Sequence, residues 1–456
     1  MPDLEKDMEM DVQKESTESS SEHHSHHHSH HSHHRHHSHH HHHHHHSHSH
    51  RSKPKQERKR RAFKQFLRKN RKKIALICIA VLFCVCSIVA GLFMDNLIHR
   101  NDDSQTNGIA FTEGQLSVSV SVFDQPVEVT NTATRALLAS PAGNVSDLYK
   151  QYRGFEMRLD RGLPMTLSYS VNAAPRGYVV AKAVFSVADN QQLTDPMRLA
   201  PAAGKESVEC VNLKTGTTYY YRLDLTFTNG VQSAVLGSFK TKAGPRMIIV
   251  DGGYNMRDVG GWKTADGRQI KQGLLYRGCE LDGATKPQYL LTEAGKNTML
   301  TQLRIKTELD MRSKTDTTKD ALGATVKHVY YDAPMYTTTF VEGHNENIRR
   351  LFADLANPAI YPAYIHCAYG QDRTGTMIYL LGALLGMNET DMLTDYNLSG
   401  LYHGVVSTDE MNAFVRRVNE LPGDTLAQKV EGYLKSVGVT DGEIQSIRSI
   451  FLEDVQ

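Results

Sequence analysis

The sequence predicts an α/β domain with a central sheet flanked by helices, preceded by an antiparallel β-sandwich and a single transmembrane helix. Three observations carry this reading: an uncharged apolar run early in the chain, short alternating segments after it, and strands alternating with helices over residues 245–456. At 456 residues the chain has room for two or three domains and enough length to bury a core.

Residues 1–73 are expected to stay unfolded. Apolar residues are scarce there, and Ser/His repeats from His23 onward cannot bury enough surface to offset chain entropy. Most of the histidines fall between His23 and His50, where neutral imidazoles suit loose binding of Zn²⁺ or Ni²⁺. A solvated tail with no such role is the alternative. Residues 74–94 read IALICIAVLFCVCSIVAGLFM, without a charge. About 20 such residues, rising roughly 1.5 Å each, cross a hydrocarbon core of roughly 30 Å. The run is longer and lies further from the N-terminus than a signal peptide's, so an uncleaved anchor is expected. Its preceding flank, KQERKRRAFKQFLRKNRKK, is densely cationic, whereas the following one holds Asp95, Asp102 and Asp103. The positive-inside rule then places the tail in the cytoplasm and everything beyond Met94 outside, at the cell membrane.

The net charge of +2 conceals this asymmetry. Beyond the tail, no large basic surface suited to nucleic acid is encoded. Of six cysteines, Cys78, Cys84 and Cys86 lie in the apolar run, and Cys210, Cys279 and Cys367 are too few for a disulfide framework.

A polar linker, 95–111, leads to the sandwich, 112–244. Segments 116–123, 165–171, 178–187, 207–213, 218–228 and 234–241 alternate with period two and are rich in β-branched and aromatic residues. With one helical stretch near Asp147, they predict two packed antiparallel sheets serving as spacer or ligand-presenting module. In residues 245–456, segments 274–278, 305–312, 326–333 and 363–367 read as strands, and helices are signalled from Thr292, Asn345, Arg373, Asn388, Ser407, Thr425 and Thr440. Thr440 with Glu443, and Ser407 with Glu410, have capping-box spacing.

The chemistry concentrates in AYIHCAYGQDRTGT, residues 363–376. A strand ends in His366-Cys367, a tight loop follows, and a helix opens at Arg373-Thr374. A bare C-x5-R is weak evidence; strand before, Gly370 inside, Thr374-Gly375 after and an apolar helix beyond make it strong. Five intervening residues let the loop curl so that successive amides of Ala368, Tyr369, Gly370 and Gln371 point at one centre, an anion nest. The helix adds its unpaired amides and the positive end of its dipole. That field favours the thiolate of Cys367, the nucleophile, and Arg373 closes the cradle by gripping two phosphate oxygens. Attack would give a phosphocysteine that water then cleaves, with no metal or other cofactor required. His366 is expected to fix the loop, Thr374 to donate to the thiolate or only start the helix, and Tyr369 to stack on an aryl substrate or only pack.

HCAYGQDRTGT resembles the HCxxGxDRTG signature of the bacterial tyrosine-phosphatase family that includes secreted protein and phosphoinositide phosphatases. Asn255-Met-Arg257-Asp258-Val-Gly-Gly261, Gly273-Leu-Leu-Tyr-Arg277, Glu308-Leu-Asp310-Met-Arg312 and the stretch from Gly386 to Ser399 match further elements, in order, over roughly 246–400. The likeness extends to members with a fibronectin type III-like domain before the catalytic one, and the corner around Thr217 and Tyr219 resembles that fold's turn into its penultimate strand. It implies a cysteine-phosphatase-type sheet, Cys367 as nucleophile, Arg373 as phosphate binder and Asp372 as general acid, with Asp332 and Asp310 as other candidates for the last role. Arg257 and Asp258 either line the pocket or brace the loop through a buried ion pair. Gln371 stands where phosphoinositide-directed members often carry Lys, which tilts the expected substrate toward phosphotyrosine protein or a broad phosphomonoester range. Rival readings are a phosphoinositide phosphatase, a rhodanese-like sulfurtransferase and a non-catalytic phospho-ligand-binding surface protein.

Overall fold

The computed structural model describes residues 111–453, except 114–115, 122, 142, 155–157 and 318–319. The expected tail and membrane span, and the linker up to residue 110, lie outside these residues; among the described residues no helix is long and apolar enough to cross a membrane.

The N-terminal part holds β1 (Phe111–Glu113), β2 (Leu116–Val120), α1 (Thr132–Ala139), α2 (Val145–Tyr152), β3 (Met165–Ala173), β4 (Val180–Ala188), β5 (Met197–Leu199), β6 (Ser207–Cys210), β7 (Thr218–Phe227) and β8 (Gln232–Lys240). Two four-stranded sheets form, in the orders β1-β2-β3-β6 and β5-β4-β7-β8, with antiparallel pairings throughout. The period-two pattern explains their contact. Val118 and Leu167 from one sheet, and Phe185, Leu223 and Leu225 from the other, share one cluster. Each such side chain contributes about 2 kcal/mol by leaving water. The Tyr219 hydroxyl accepts the Lys214 amide at 2.7 Å, which closes the expected corner.

The helices between β2 and β3 depart from expectation. Two form rather than one, started by the side chains of Asn131 on the Thr134 amide (2.7 Å) and Asn144 on the Ser146 amide (2.9 Å). Their buried apolar residues Ala133, Leu137 and Val145 join the core of the C-terminal part. A Cβ on Gly400 would lie 2.1 Å from Val145 Cγ1, so the glycine is what lets α2 dock.

The C-terminal part holds β9 (Arg257–Asp258), β10 (Leu275–Gly278), α3 (Glu293–Asn297), β11 (Thr307–Asp310), β12 (Lys327–Tyr330), α4 (Asn345–Leu355), β13 (Ala363–His366), α5 (Asp372–Leu385), α6 (Glu389–Leu398), α7 (Gly400–His403), α8 (Thr408–Asn419), α9 (Leu426–Ser436) and α10 (Asp441–Phe451). The sheet order is β12-β11-β13-β10-β9, parallel except for β9. All four residues of the central strand β13 are buried, as is α5 from Thr374 to Leu385, in keeping with their near-continuous apolar sequences. Thr440 and Glu443 make the expected capping box, and Thr425 with Gln428 makes another. Ser407 makes no cap, contrary to its spacing with Glu410: its backbone leaves the extended region, and its carbonyl accepts the Tyr396 hydroxyl at 3.3 Å.

Candidate active site

In parallel sheets ligands bind beyond the carboxyl ends of the strands, and Cys367 is the first residue after β13. The loop from Cys367 to Gln371 is shaped from behind. His366 Nδ1 donates to the Cys367 carbonyl at 3.2 Å, and the Glu280 amide to that of Ala368 at 3.1 Å. Asn255 Nδ2 (3.0 Å) and the Cys279 thiol (3.1 Å) both donate to the Tyr369 carbonyl. Arg277 Nη2 donates to the Gly370 carbonyl at 2.8 Å, and the Gly375 amide to that of Gln371 at 2.7 Å. Five successive carbonyls are thus held by donors on the protein side. The amides of Ala368, Gly370, Gln371 and Asp372 meet no acceptor among the described residues, as an anion nest requires. Gly370 is required here: its φ is +64°, and a Cβ would lie 2.1 Å from the Gly278 carbonyl oxygen.

Cys367, which opens this loop, is 4 % exposed. Arg373, in the first turn of α5 and partly buried, makes no hydrogen bond or ion pair with another described residue, so its fork is available to an anion. Thr374 is fully buried and its hydroxyl has no partner; the expected bond to the thiolate is not made. The Gln371 amide donates to Asp372 Oδ1 at 3.1 Å, so no cation stands at that position. Tyr369 borders the loop within a ring cluster, 6.0 Å from Tyr289 and 6.3 Å from His403, with the Lys286 ammonium 5.9 Å from its ring.

Asp372 receives hydrogen bonds from Gln371 and from the Tyr336 hydroxyl, which itself lies 2.7 Å from that of Tyr396. Burial raises its carboxyl above the ordinary range, against the pull of these donors and of the Arg373 charge. A raised carboxyl is what a proton donor at neutral pH needs. Asp310 is the opposite case. Burial opposes ionisation, yet the charge of His366, the bond to His328 and the Arg312 pair hold it well below the carboxylate range. An ionised, buried Asp310 has no proton to give, so it leaves the set of candidates. Asp332 is exposed, with a φ of +46°.

Arg257 and Asp258 are each fully buried and do not line a pocket. Arg257 binds Asp395 (Nε to Oδ1, 2.8 Å) and the Asn255 side chain (2.6 Å), so it acts on the loop through Asn255. Asp258 accepts the amides of Gly260 (2.8 Å) and Gly273 (2.7 Å) and pairs with Arg246 at 2.9 Å, fixing the turns around β9. Sequence reasoning gave no role to Asp395, Arg277, Asn255, Tyr336 or Glu308; the first three tie down the loop, and only their place inside matched motifs marked them.

His366 is fully buried, its Nε2 2.9 Å from Glu308 Oε1. Burial alone would favour the neutral ring, but the Asp310 and Glu308 charges outweigh it and raise its pKa. Donating from both nitrogens, it locks the start of the loop. Glu308, His328 and His366 bring ligand atoms within 4.8 Å of one another. A metal would require neutral imidazoles, whereas both rings here are pulled toward the charged form by surrounding carboxylates. The cluster fits an ion-pair network better than a metal site.

A free cysteine and a guanidinium without a bonded partner among the described residues flank a loop whose amides meet no acceptor there, an arrangement suited to a phosphate ester. Residues 248–453 match the model of the tyrosine phosphatase family. Among solved structures, the core catalytic domain of the PP-IP phosphatase SIW14 from S. cerevisiae, in complex with citrate, is similar over 33% of this chain and 89% of its own, at 15% identity and a TM-score of 0.23. A likeness that loose carries no argument about substrate. None of the curated proteins matches the chain.

Proposed function

We propose that the chain is a protein-tyrosine phosphatase of broad phosphomonoester range, working through a phosphocysteine. The observation that supports this most is the loop itself, with its carbonyls held outward and Cys367, amides and Arg373 left for a phosphoryl group. The Cys367 thiolate attacks phosphorus, Asp372 gives its proton to the leaving phenolate oxygen, and the phosphocysteine forms. Water then attacks phosphorus, returning a proton to Asp372 and releasing phosphate and the thiolate.

Gln371 in place of a cation favours a substrate with one phosphate over a multiply phosphorylated lipid head group. Lys286 beside Tyr369 is the observation that favours the lipid reading. Rates of phosphate release from a phosphotyrosyl peptide, an alkyl phosphate and phosphoinositide vesicles separate the two. The expected order puts the peptide first, with no effect of EDTA, and Asp372→Asn slows the alkyl phosphate, the poorest leaving group, most. Release from the vesicles alone would move the assignment to lipid. Sulfur transfer from thiosulfate without phosphate release would favour the sulfurtransferase reading.

The sandwich fits a fibronectin type III-like spacer, on the support of the Tyr219 corner. The charges flanking residues 74–94 support a single-pass anchor with the catalytic part outside the cytoplasm. Protease added to intact cells is expected to digest that part; its protection would reverse the orientation.

A further inference from the structure

Asp160 lies outside the stretch that matches the phosphatase family, in the turn between α2 and β3, yet it is 2 % exposed and points into the catalytic part. Its Oδ2 accepts the backbone amide of Asn255 at 2.7 Å. Arg158 grips both of its oxygens, Nε at 2.9 Å and Nη2 at 2.5 Å, and stacks its guanidinium 3.9 Å from the centre of the Tyr254 ring. The turn is held rigidly. Asn131 Nδ2 donates to the carbonyls of Leu159 (2.7 Å) and Arg161 (2.6 Å), Leu159 is in the core, and Arg161 donates to the Val250 carbonyl at 3.1 Å.

Asn255 needs such a hold. Its φ is +52°, a left-handed conformation that a non-glycine residue keeps only when its surroundings impose it. Asp160 clamps its amide and Arg257 its side-chain oxygen, and the Nδ2 so aimed donates to the Tyr369 carbonyl of the catalytic loop at 3.0 Å. We propose that Asp160 is a positioning residue for the phosphate loop: through Asn255 it holds the Tyr369 carbonyl outward, so the segment before the family domain completes the catalytic unit.

The proposal rests on the phosphatase reading, and the test separates the two. In the full chain, Asp160→Ala, Asp160→Asn, Asn255→Ala and the Asp160→Ala/Asn255→Ala double variant are compared for kcat/KM on an aryl phosphate, affinity for inorganic phosphate, and Tm. Asp160→Ala is expected to lower kcat/KM roughly 10- to 100-fold, with a parallel loss of phosphate affinity. Asp160→Asn, which keeps an acceptor oxygen for the Asn255 amide, restores most of it. The double variant is expected to be no worse than Asn255→Ala alone, because one residue acts through the other. Losses that multiply, or a fall in Tm with phosphate affinity and kcat/KM unchanged, would overturn the proposal. Should Asp160→Ala not fold, Asp160→Ser takes its place in the cycle. A wild type that binds phosphate without turnover sinks the phosphatase reading, and the phosphate affinities then decide the role of Asp160 alone. A wild type that does not bind phosphate overturns both.

Discussion

Cys367→Ser is expected to abolish phosphate release from an aryl phosphate, and Arg373→Ala to lower it by about 100- to 1,000-fold, the loss measured on removing one charge-stabilising donor. The two substitutions remove different things. A serine hydroxyl keeps its proton near neutral pH. Removing a covalent nucleophile outright has cost about a million-fold in another enzyme, and nothing in this loop replaces it. The cradle survives that change: the carbonyls of Cys367, Ala368, Tyr369 and Gly370 are held by donors from other elements, so the inward amides stay in place. Cys367→Ser should therefore bind phosphate or unreacted substrate as tightly as the wild type. Arg373→Ala should lose affinity and rate together, because its fork engages ground state and transition state alike. Steady-state rates beside equilibrium phosphate binding check both. Turnover retained by Cys367→Ser, or phosphate affinity untouched by Arg373→Ala, would remove the assignment of the loop.

What the sequence disclosed and withheld follows from how far each feature reaches along the chain. The loop from Cys367 to Arg373 was legible as a strand-to-helix turn because the strand and helix around it announce themselves by composition. Helix starts were equally local: Thr292, Asn388, Thr425 and Thr440 are the residues just before α3, α6, α9 and α10. Arg257 and Asp258 were read as pocket or brace because a charged residue in a motif does not name its partner; Arg257 pairs with Asp395, far along the chain, and Asp258 with Arg246. Asp310 read as a possible acid until Arg312, two residues on, folded back to pair with it. The destination of α1 and α2 was hidden for the same reason. An eight-residue helix displays its apolar stripe in the sequence, but the surface that covers the stripe is supplied by α6 and α7.

Asp395→Ala is expected to be among the most destabilising single changes in the C-terminal part. The Asp395 carboxylate is shared by Arg257 (Nε to Oδ1, 2.8 Å) and the Nη1 of Arg277, and both guanidinia are fully buried. Removing one carboxylate leaves two buried cations without a counter-charge, and breaking a buried pair costs about 3–5 kcal/mol. At roughly 2–4 °C per kcal/mol for a domain of this size, Tm should fall by about 10 °C at neutral pH. Burial works against the Asp395 charge, but the two arginines outweigh it and lower its pKa in the folded state. A carboxyl whose pKa is lower folded than unfolded adds stability above the unfolded value, about 3.9, and that stability drains away as pH falls through the folded value. The gap in Tm between wild type and Asp395→Ala is thus expected to be full at pH 7 and to narrow in acid. Activity should fall too, since Arg277 holds the Gly370 carbonyl and Arg257 holds Asn255. Asp395→Asn, which preserves shape and one acceptor without charge, should lie between. A neutral-pH Tm within about 2 °C of wild type for Asp395→Ala would mean that the guanidinia find other partners, and that the loop does not depend on this carboxylate for its support.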